Sequence, residues 1–320
     1  MEVTTYQGPH GKLSISHSEC PYTNLSLESF FLNKVKKDEV HIFLYKNESS
    51  VVIGRFQVPW REVNLRMMKQ KKLSFVRRRS GGGTVYHDKG NWNFCFLRGN
   101  REIEKRKNLE FVQEVLASLG VRVEINDRFD LIYNEKEVLK KVSGSAFKQQ
   151  KERSYHHGTL LVDADLKSLK GVLGTDKLIT VEGKGIRSHP SPVINLNTVG
   201  LNISFSSWTQ SWVQKHDKKS RVFKESYSPL EKEVITKEIK FLQSWEWLWG
   251  ETPENKITFG LNKYWFINKK GLVTDASLNL RGLIGKKLKF EQGDDQVCDL
   301  EAASSLNAEE TEVLKSLFLK

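Results

Sequence analysis

The sequence predicts an α+β protein, with a large mixed-sheet domain over residues 1–240 and a small α+β accessory domain over residues 241–320. Three observations point there. The chain has 320 residues, too many for one small core. Strand-like and helix-like segments follow one another irregularly instead of as repeating βαβ units. After Gly250 the pattern changes from helical spacing to short strands.

Residues 39–45 and 50–54 are rich in β-branched and aromatic side chains and read as strands. Residues 60–70 follow Pro59 and carry Val63, Leu65, Met67 and Met68, which predicts a short helix. Residues 73–78 and 83–97 read as strands around a glycine run. Leu109, Phe111, Val112, Val115, Leu116 and Leu119 have helical spacing, ended by Gly120. Segments near 121–125, 129–133, 140–147 and 156–163 read as strands, and 164–173 as a helix. The Gly, Ser and Pro content of 174–195 predicts a loop. Residues 206–216 and 230–246 read as helices, then 256–259, 264–268 and 272–278 as strands. A last helix over 307–319 opens on Asn307 with Glu310 three residues later, the pattern of a capping box.

Composition excludes several classes. Eight Trp and seventeen Phe argue against a disordered chain. No stretch of eighteen apolar residues occurs, so no membrane span is expected. The first thirty residues lack a signal core and the Arg-rich pattern of a transit peptide. Cys20, Cys95 and Cys298 lie far apart with no CxxC pair, so neither a disulfide framework nor a zinc site is expected, and a reducing compartment fits. The net charge of +12 suits nucleic acid, an anionic surface, or acidic molecules and partners. The densest basic groups, Lys69-Gln70-Lys71-Lys72 and Lys218-Lys219, are short, so a nucleic-acid grip is not signalled.

Chemistry concentrates in three stretches. In Val76 to Phe94 the run Arg77-Arg78-Arg79-Ser80-Gly81-Gly82-Gly83 precedes His87 and Asp88. Three adjacent glycines cost backbone entropy, a cost a chain bears where backbone must approach a ligand closely. Their N–H groups suit an oxyanion, and the arginines add permanent planar charge. A solvated glycine-rich hairpin is the alternative for a triple glycine standing alone. In Lys140 to Leu161, Lys141 stands before the turn Ser143-Gly144-Ser145, and lysine suits an oxygen that gains charge. His156 and His157 are adjacent on a strand and point to opposite faces, so only one can face a site and the pair is a poor metal site. The third stretch, Val51 to Trp60, carries Arg55 and Gln57 and taken alone is an ordinary strand-to-turn.

Together these stretches resemble the lipoate–protein ligase and lipoyltransferase family. The family pattern runs I-G-R-x-Q-N-P-W, R-R-x-S-G-G-G-x-V-x-H-D-x-G-N, K-x-S-G-S/T-A, then H-H-G/C-T-L-L, in the order found here over residues 50–165. Ser244 to Pro253 resembles the Trp-rich start of the family's accessory domain, and Arg128-Phe129-Asp130 resembles its mitochondrial branch. Val58 replaces the usual Asn, which removes any polar contact of that Asn.

The resemblance implies a biotin/lipoyl ligase-like catalytic domain that holds lipoyl-AMP and passes the acyl group to one lysine of a lipoyl domain. By position, Arg78, Ser80, Gly81, Gly82, Gly83 and His87 would line the lipoyl-adenylate pocket, with Arg55 and Asp130 close by. Lys141 would be the catalytic charge, and His157 and Thr159 would lie on the adjacent strand. Substrates would be lipoyl-AMP or lipoate, with ATP and Mg²⁺ needed only if the enzyme makes the adenylate; no bound metal is expected. Partners would be lipoyl domains of 2-oxoacid dehydrogenase complexes and the glycine-cleavage H protein, with no nucleic acid and no membrane. The expected state is a monomer in the mitochondrial matrix, or in the cytoplasm of a prokaryote.

Val85 and Phe94 are candidates for the walls of an acyl slot. Cys95 between Phe94 and Phe96 reads as core packing before it reads as an acyl-thioester nucleophile. Three functions stay open: a transferase using an activated or carrier-bound lipoyl group, a complete ATP-dependent ligase, and a non-catalytic basic module that binds nucleic acid or a carrier. Arg128-Phe129-Asp130 and the Trp-rich segment favour the transferase.

Overall fold

The computed structural model describes residues 1–8, 11–200, 202–216, 221–287 and 306–318; Cys298 and Lys218-Lys219 lie outside the described residues. The first 38 residues, where no element was expected, form β1 (Val3–Gly8), β2 (Gly11–Ser16) and α1 (Pro21–Lys34). Pro21 starts α1, where its missing N–H costs nothing. Leu25, Leu27, Phe30, Phe31 and Leu32 are buried together with Asn24, Ser26 and Glu28. A helix buried on several faces shows no amphipathic stripe, which is why its sequence carries no helical period.

Then come β3 (Val40–Lys46), β4 (Ser50–Ile53), α2 (Pro59–Glu62), α3 (Leu65–Gln70), β5 (Ser74–Arg77), β6 (Val85–His87) and β7 (Asn91–Arg98). The single helix expected over 60–70 is broken at Val63, and α3 restarts where the Asn64 side chain accepts from the Met67 amide. The strand expected over 83–97 is also broken. The Asp88 carboxylate accepts from the Gly90 and Asn91 amides and turns the chain, so β6 and β7 enter different sheets.

The chain continues with α4 (Lys105–Ala117), β8 (Glu124–Ile125), β9 (Leu131–Glu135), β10 (Val138–Ser143), β11 (Ser145–Gln150), β12 (Arg153–Leu161), α5 (Leu166–Val172) and β13 (Ile179–Gly183). The expected strand over 140–147 breaks at Gly144, where β10 leaves one sheet and β11 joins another. The expected loop over 174–195 contains β13. Last come α6 (Phe205–His216), β14 (Arg221–Lys224), α7 (Pro229–Gln243), α8 (Trp245–Leu248), β15 (Asn255–Phe259), β16 (Tyr264–Lys269), β17 (Leu272–Ala276) and α9 (Ala308–Phe318). The expected capping box is present at α9: Asn307 Oδ1 accepts from the Glu310 amide at 2.8 Å, and Glu310 accepts from the Asn307 amide at 2.9 Å.

The main sheet runs β11-β12-β7-β3-β2-β1-β14, with β2 and β3 parallel. β7 lies inside it with residues 91–97 all buried. Side chains alternate across the pleat. Cys95 and Leu97 pack under α1 with Leu27 and Phe31, while Phe94 and Phe96 pack with Leu109 of α4 and Trp208 and Trp212 of α6. Small sheets β5-β4-β6 and β10-β9-β8 flank the main one. The C-terminal sheet β13-β15-β16-β17 takes its edge strand from residues before 240, and its core residues Ile257, Phe259 and Phe266 share one apolar cluster with Val51, Ile53 and Trp60. No helix among the described residues is long and apolar enough to cross a membrane.

Two expected outcomes follow from burial. His41, His87 and His156 are each pushed down to about 3, mainly by burial. Their folded values lie below the unfolded value near 6.5, so the unfolded chain binds more protons. Their stabilisation is complete above pH 6.5 and is lost as pH falls toward 3. The melting temperature should already fall between pH 6.5 and 5, above the range where ordinary carboxylates titrate; a flat profile there contradicts this. Arg77 is buried and joins the two halves of the chain (below). Arg77→Leu orphans several carbonyls and should cost about 3 kcal/mol in denaturant unfolding.

Candidate active site

The glycine run forms a loop between β5 and β6, and the arginines beside it have three separate tasks. Arg77 Nη1 donates to the Arg55 and Gln57 carbonyls at 2.8 and 3.0 Å, and its Nε and Nη2 donate to the Leu248 carbonyl at 2.9 and 2.7 Å. Nη2 also reaches Thr252 Oγ1, and Trp247 Nε1 donates back to the Arg77 carbonyl. Burial pushes Arg77 down to about 9, still protonated at neutral pH. Arg78 donates to the Val52, Gly81 and Gly83 carbonyls at 3.1, 2.6 and 2.7 Å, and to Ser80 Oγ at 2.9 Å. Arg79 pairs with Glu238 of α7. The expectation of three arginines free to meet an anion is therefore corrected. Each guanidinium already has protein acceptors: buried carbonyls that must be satisfied for Arg77 and Arg78, and the Glu238 carboxylate for Arg79.

This arrangement turns the Gly81 and Gly83 carbonyls toward Arg78. The amides of Gly81, Gly82 and Gly83 make no hydrogen bond among the described residues. Gly82 has φ 85°, in the region that favours glycine. Gly54, opposite, leaves no room either: a Cβ there would lie 2.2 Å from the Gly82 carbonyl oxygen. Gln57 fixes this approach. Its Oε1 accepts from the Gly54 amide and from Thr84 Oγ1, both at 2.9 Å, and its Nε2 donates to Ser188 Oγ at 3.0 Å.

Lys141 on β10 faces the loop. Its Nζ lies 2.8 Å from Asp130 Oδ1. Asp130 is buried just before β9, after Phe129 at φ 59°. Lys141 is also tied to the 190s, its amide donating to the Pro192 carbonyl at 2.8 Å. The ammonium is held by one carboxylate and stays partly exposed, so it can still meet an anionic oxygen.

His156 and His157 point to opposite faces of β12, as expected. His156 is buried beside Asn108 and Phe94. His157 Nδ1 lies 3.0 Å from both Glu28 oxygens, and its Nε2 lies 2.8 Å from Ser80 Oγ. With Nδ1–H donating to Glu28, Nε2 accepts from Ser80, and Ser80 in turn accepts from Arg78. The geometry is that of a serine–histidine–carboxylate triad, but Ser80 is 1% exposed, so it braces the loop. Glu28, Cys95 and His157 bring metal-ligand atoms within 4.8 Å of one another. Burial, with Glu28 beside it, pushes the Cys95 thiol well up, which argues against a nucleophile there.

Two adjoining cavities result. The first, about 260 Å³, is lined among others by Arg78, Gly82, Gly83, His87, Asp130, Lys141, His157 and Thr159. The second, about 650 Å³, shares Lys141, Gly144, Thr159, Arg187, Ser188 and His189 with it. Eight of the expected site residues thus meet in one place. Ser80 and Gly81 sit behind the wall. Arg55 does not line either cavity; it lies at the surface 3.4 Å from Glu251 and against the Trp247 ring. Val85 lines the slot, whereas Phe94 faces the other side of the sheet. Glu28, Tyr45, Asn47, Asn93 and Arg187 to His189 were not foreseen. Glu28 sits on α1, which shows no helical period, and 187–189 lie in the Gly-, Ser- and Pro-rich segment, tied to the motif residues through Gln57, which donates to Ser188.

Fold and site together define a mixed α+β protein with a glycine-lined cavity facing a lysine. The model of the lipoyl protein ligase A/B catalytic domain matches residues 20–217. The chain is 33% identical over 302 residues to lipoate-protein ligase A of Blochmanniella floridana, covering 87% of each. Its fold is similar to the bipartite lipoate protein ligase of Thermoplasma acidophilum, solved with its E2 lipoyl domain (TM-score 0.61, 23% identity, 75% of this chain and 96% of that one). It is also similar to LipL1 of P. falciparum in complex with lipoate (TM-score 0.60, 24% identity, 87% and 90%). The chain belongs to the lipoate–protein ligase family, enzymes that attach lipoate to proteins.

Gly54→Ala tests the loop's close approach. The clash with Gly82 must displace the cradle, and kcat/KM for acyl transfer should fall about 100-fold with the far-ultraviolet spectrum unchanged. Activity within about 3-fold of wild type would show that the approach is dispensable.

Proposed function

We propose that this enzyme transfers a lipoyl group from lipoyl-AMP to one lysine of a lipoyl domain. The observation that carries this reading is the position of Lys141, opposite the glycine cradle and where the two cavities join. A free carboxylate does not acylate an amine at neutral pH; its mixed anhydride with AMP does. The glycine amides hold the phosphate. The acceptor's ε-amine attacks the acyl carbonyl, the C–N bond forms, and the bond from that carbon to the phosphate oxygen breaks. Lys141 opposes the charge on the oxygen during this step. The apolar slot holds the acyl chain.

A complete ligase is the second reading, favoured by the second cavity: 650 Å³ beside Lys141 gives room for a nucleotide. ATP would then enter with Mg²⁺, which neutralises phosphate charge during adenylation. Asp130 and Glu62 are the carboxylates lining the two cavities among the described residues, and Lys141 and Arg61 already hold them, so the ion would be held mainly by the phosphates. Lipoyl domains of 2-oxoacid dehydrogenase complexes and the H protein are the acceptors we propose, in the mitochondrial matrix. Membership of a family of enzymes sets aside the non-catalytic module.

Mass measurement of an apo lipoyl domain separates the readings. A gain with lipoyl-AMP but not with lipoate, ATP and Mg²⁺ makes the enzyme a transferase. A gain with both makes it a ligase. No gain with any donor, lipoylated H protein included, defeats both. Lys141→Met should lower kcat/KM for lipoyl-AMP by about 10²–10³; a loss below about 10-fold would remove Lys141 from the chemistry.

A further inference from the structure

Two buried polar side-chain atoms of residues lining the first cavity have no partner among the described residues, Ser145 Oγ and His87 Nε2, and only the second belongs to a ring whose proton can be placed. His87 is 3% exposed and lines the cavity, and its Nε2 has no partner among the described residues. An unmet buried polar atom in a native site calls for an explanation.

Its chemical identity can be traced through three neighbours. Asn24 Nδ2 donates to the backbone carbonyls of Ser18 at 2.8 Å and Lys46 at 3.2 Å, and its Oδ1 accepts from Ser16 Oγ at 2.7 Å. Carbonyls only accept, so the amide of Asn24 has one orientation. The same Nδ2 donates to Asn47 Oδ1 at 2.8 Å, which fixes the amide of Asn47 as well. Asn47 therefore presents Nδ2 to His87 Nδ1, at 2.9 Å. Nδ1 must accept, and the ring proton sits on Nε2. Burial, reinforced by the Arg78 charge, pushes His87 down to about 3, so the ring stays neutral. Nε2–H is a fixed, uncharged donor.

Its place within the cavity says what it meets. The wall with Lys141, Thr159 and Ser188 is shared with the second cavity. His87, Tyr45, Leu25 and Val52 line only the first. Polar Arg78, Asn93 and His157 also line only the first, while Leu25, Val52 and the Tyr45 ring supply apolar surface beside His87. An acyl group activated beside Lys141 points its tail there. Lipoyl and octanoyl groups have the same eight-carbon length and the same carboxyl end. They differ at the tail, where lipoyl carries a dithiolane with two sulfur acceptors and octanoyl carries only hydrogen.

We propose that His87 Nε2–H is the group by which this enzyme selects a dithiolane-tailed acyl group over a plain fatty acyl group, with Asn47 as the positioning residue that fixes its tautomer. The proposal rests on the acyl-transfer reading above. Sulfur is a weak acceptor, but a buried donor left facing a hydrocarbon tail is penalised, and sites that bond a substrate group discriminate against analogues lacking it. A preference of about 10-fold for lipoyl is expected.

The test uses the full chain and two readouts. Calorimetry compares binding of lipoate and octanoate. The mass assay compares kcat/KM for lipoyl-AMP and octanoyl-AMP on an apo lipoyl domain. Wild type should favour the lipoyl ligand about 10-fold in both. His87→Phe keeps the ring and removes the donor, so the ratio should fall toward one. Asn47→Leu, which lies outside both cavities, should also lower the ratio, an effect a purely structural role would not have. Melting curves confirm that each variant is folded.

A wild-type ratio near one overturns the proposal. So does an undiminished ratio in folded His87→Phe. Discrimination in binding without any transfer would support it and sink the acyl-transfer reading. Transfer without discrimination would do the reverse.

Discussion

The site depends on keeping a short, glycine-rich loop open against its own tendency to collapse. The Gly81 and Gly83 carbonyls are bonded by one buried guanidinium, that of Arg78. The amides of Gly81 to Gly83 are left unbonded among the described residues. Replacing Arg78 by a smaller cation would keep charge but lose the planar fork that meets four acceptors at once. Arg77 repeats the device one residue earlier, on the other face of β5, and there it bonds α8 instead of the loop. Alternation along a strand thus assigns one arginine to the cradle and the next to the C-terminal segment.

The second constraint is charge placement. Lys141 faces the loop with Asp130 as partner, and the two come from neighbouring strands of a small separate sheet. The break at Gly144 makes this possible. It lets β10 leave before β11 enters the main sheet, so Lys141 and His157 approach the cavity from different directions. A continuous strand over 140–147 in the register of β11 would have put Lys141 on the face of the sheet opposite His157.

The large features of the fold were legible in the sequence, because amphipathic helices such as α4 and turn residues such as Gly120 announce themselves locally. So were most residues that line the candidate cavity, because glycines, a lysine and histidines in a fixed order carry chemical information. What failed has a different physical cause at each place. The α1 helix is buried on several faces and shows no period, so Glu28 and Asn24 were missed. β13 is short and lies in a segment rich in Gly, Ser and Pro. The arginine run was read as free charge because sequence cannot show which carbonyls a buried guanidinium must satisfy. Arg55 was placed in the site by analogy of motif, whereas the fold directs it to Glu251 and Trp247.

The hydrogen-bond chain from Ser16 to His87 begins in the first hairpin of the protein, and the cavity is closed on the opposite side by Ser188 and His189. No contiguous piece of the chain holds the site. During synthesis, the N-terminal residues must wait for everything through the 190s before the cavity exists. An incomplete chain would expose apolar strands such as β7 without their covers. The enzyme's vulnerable moment is thus its own birth, and shortening the chain from either side of that span should remove the whole pocket at once, not part of it.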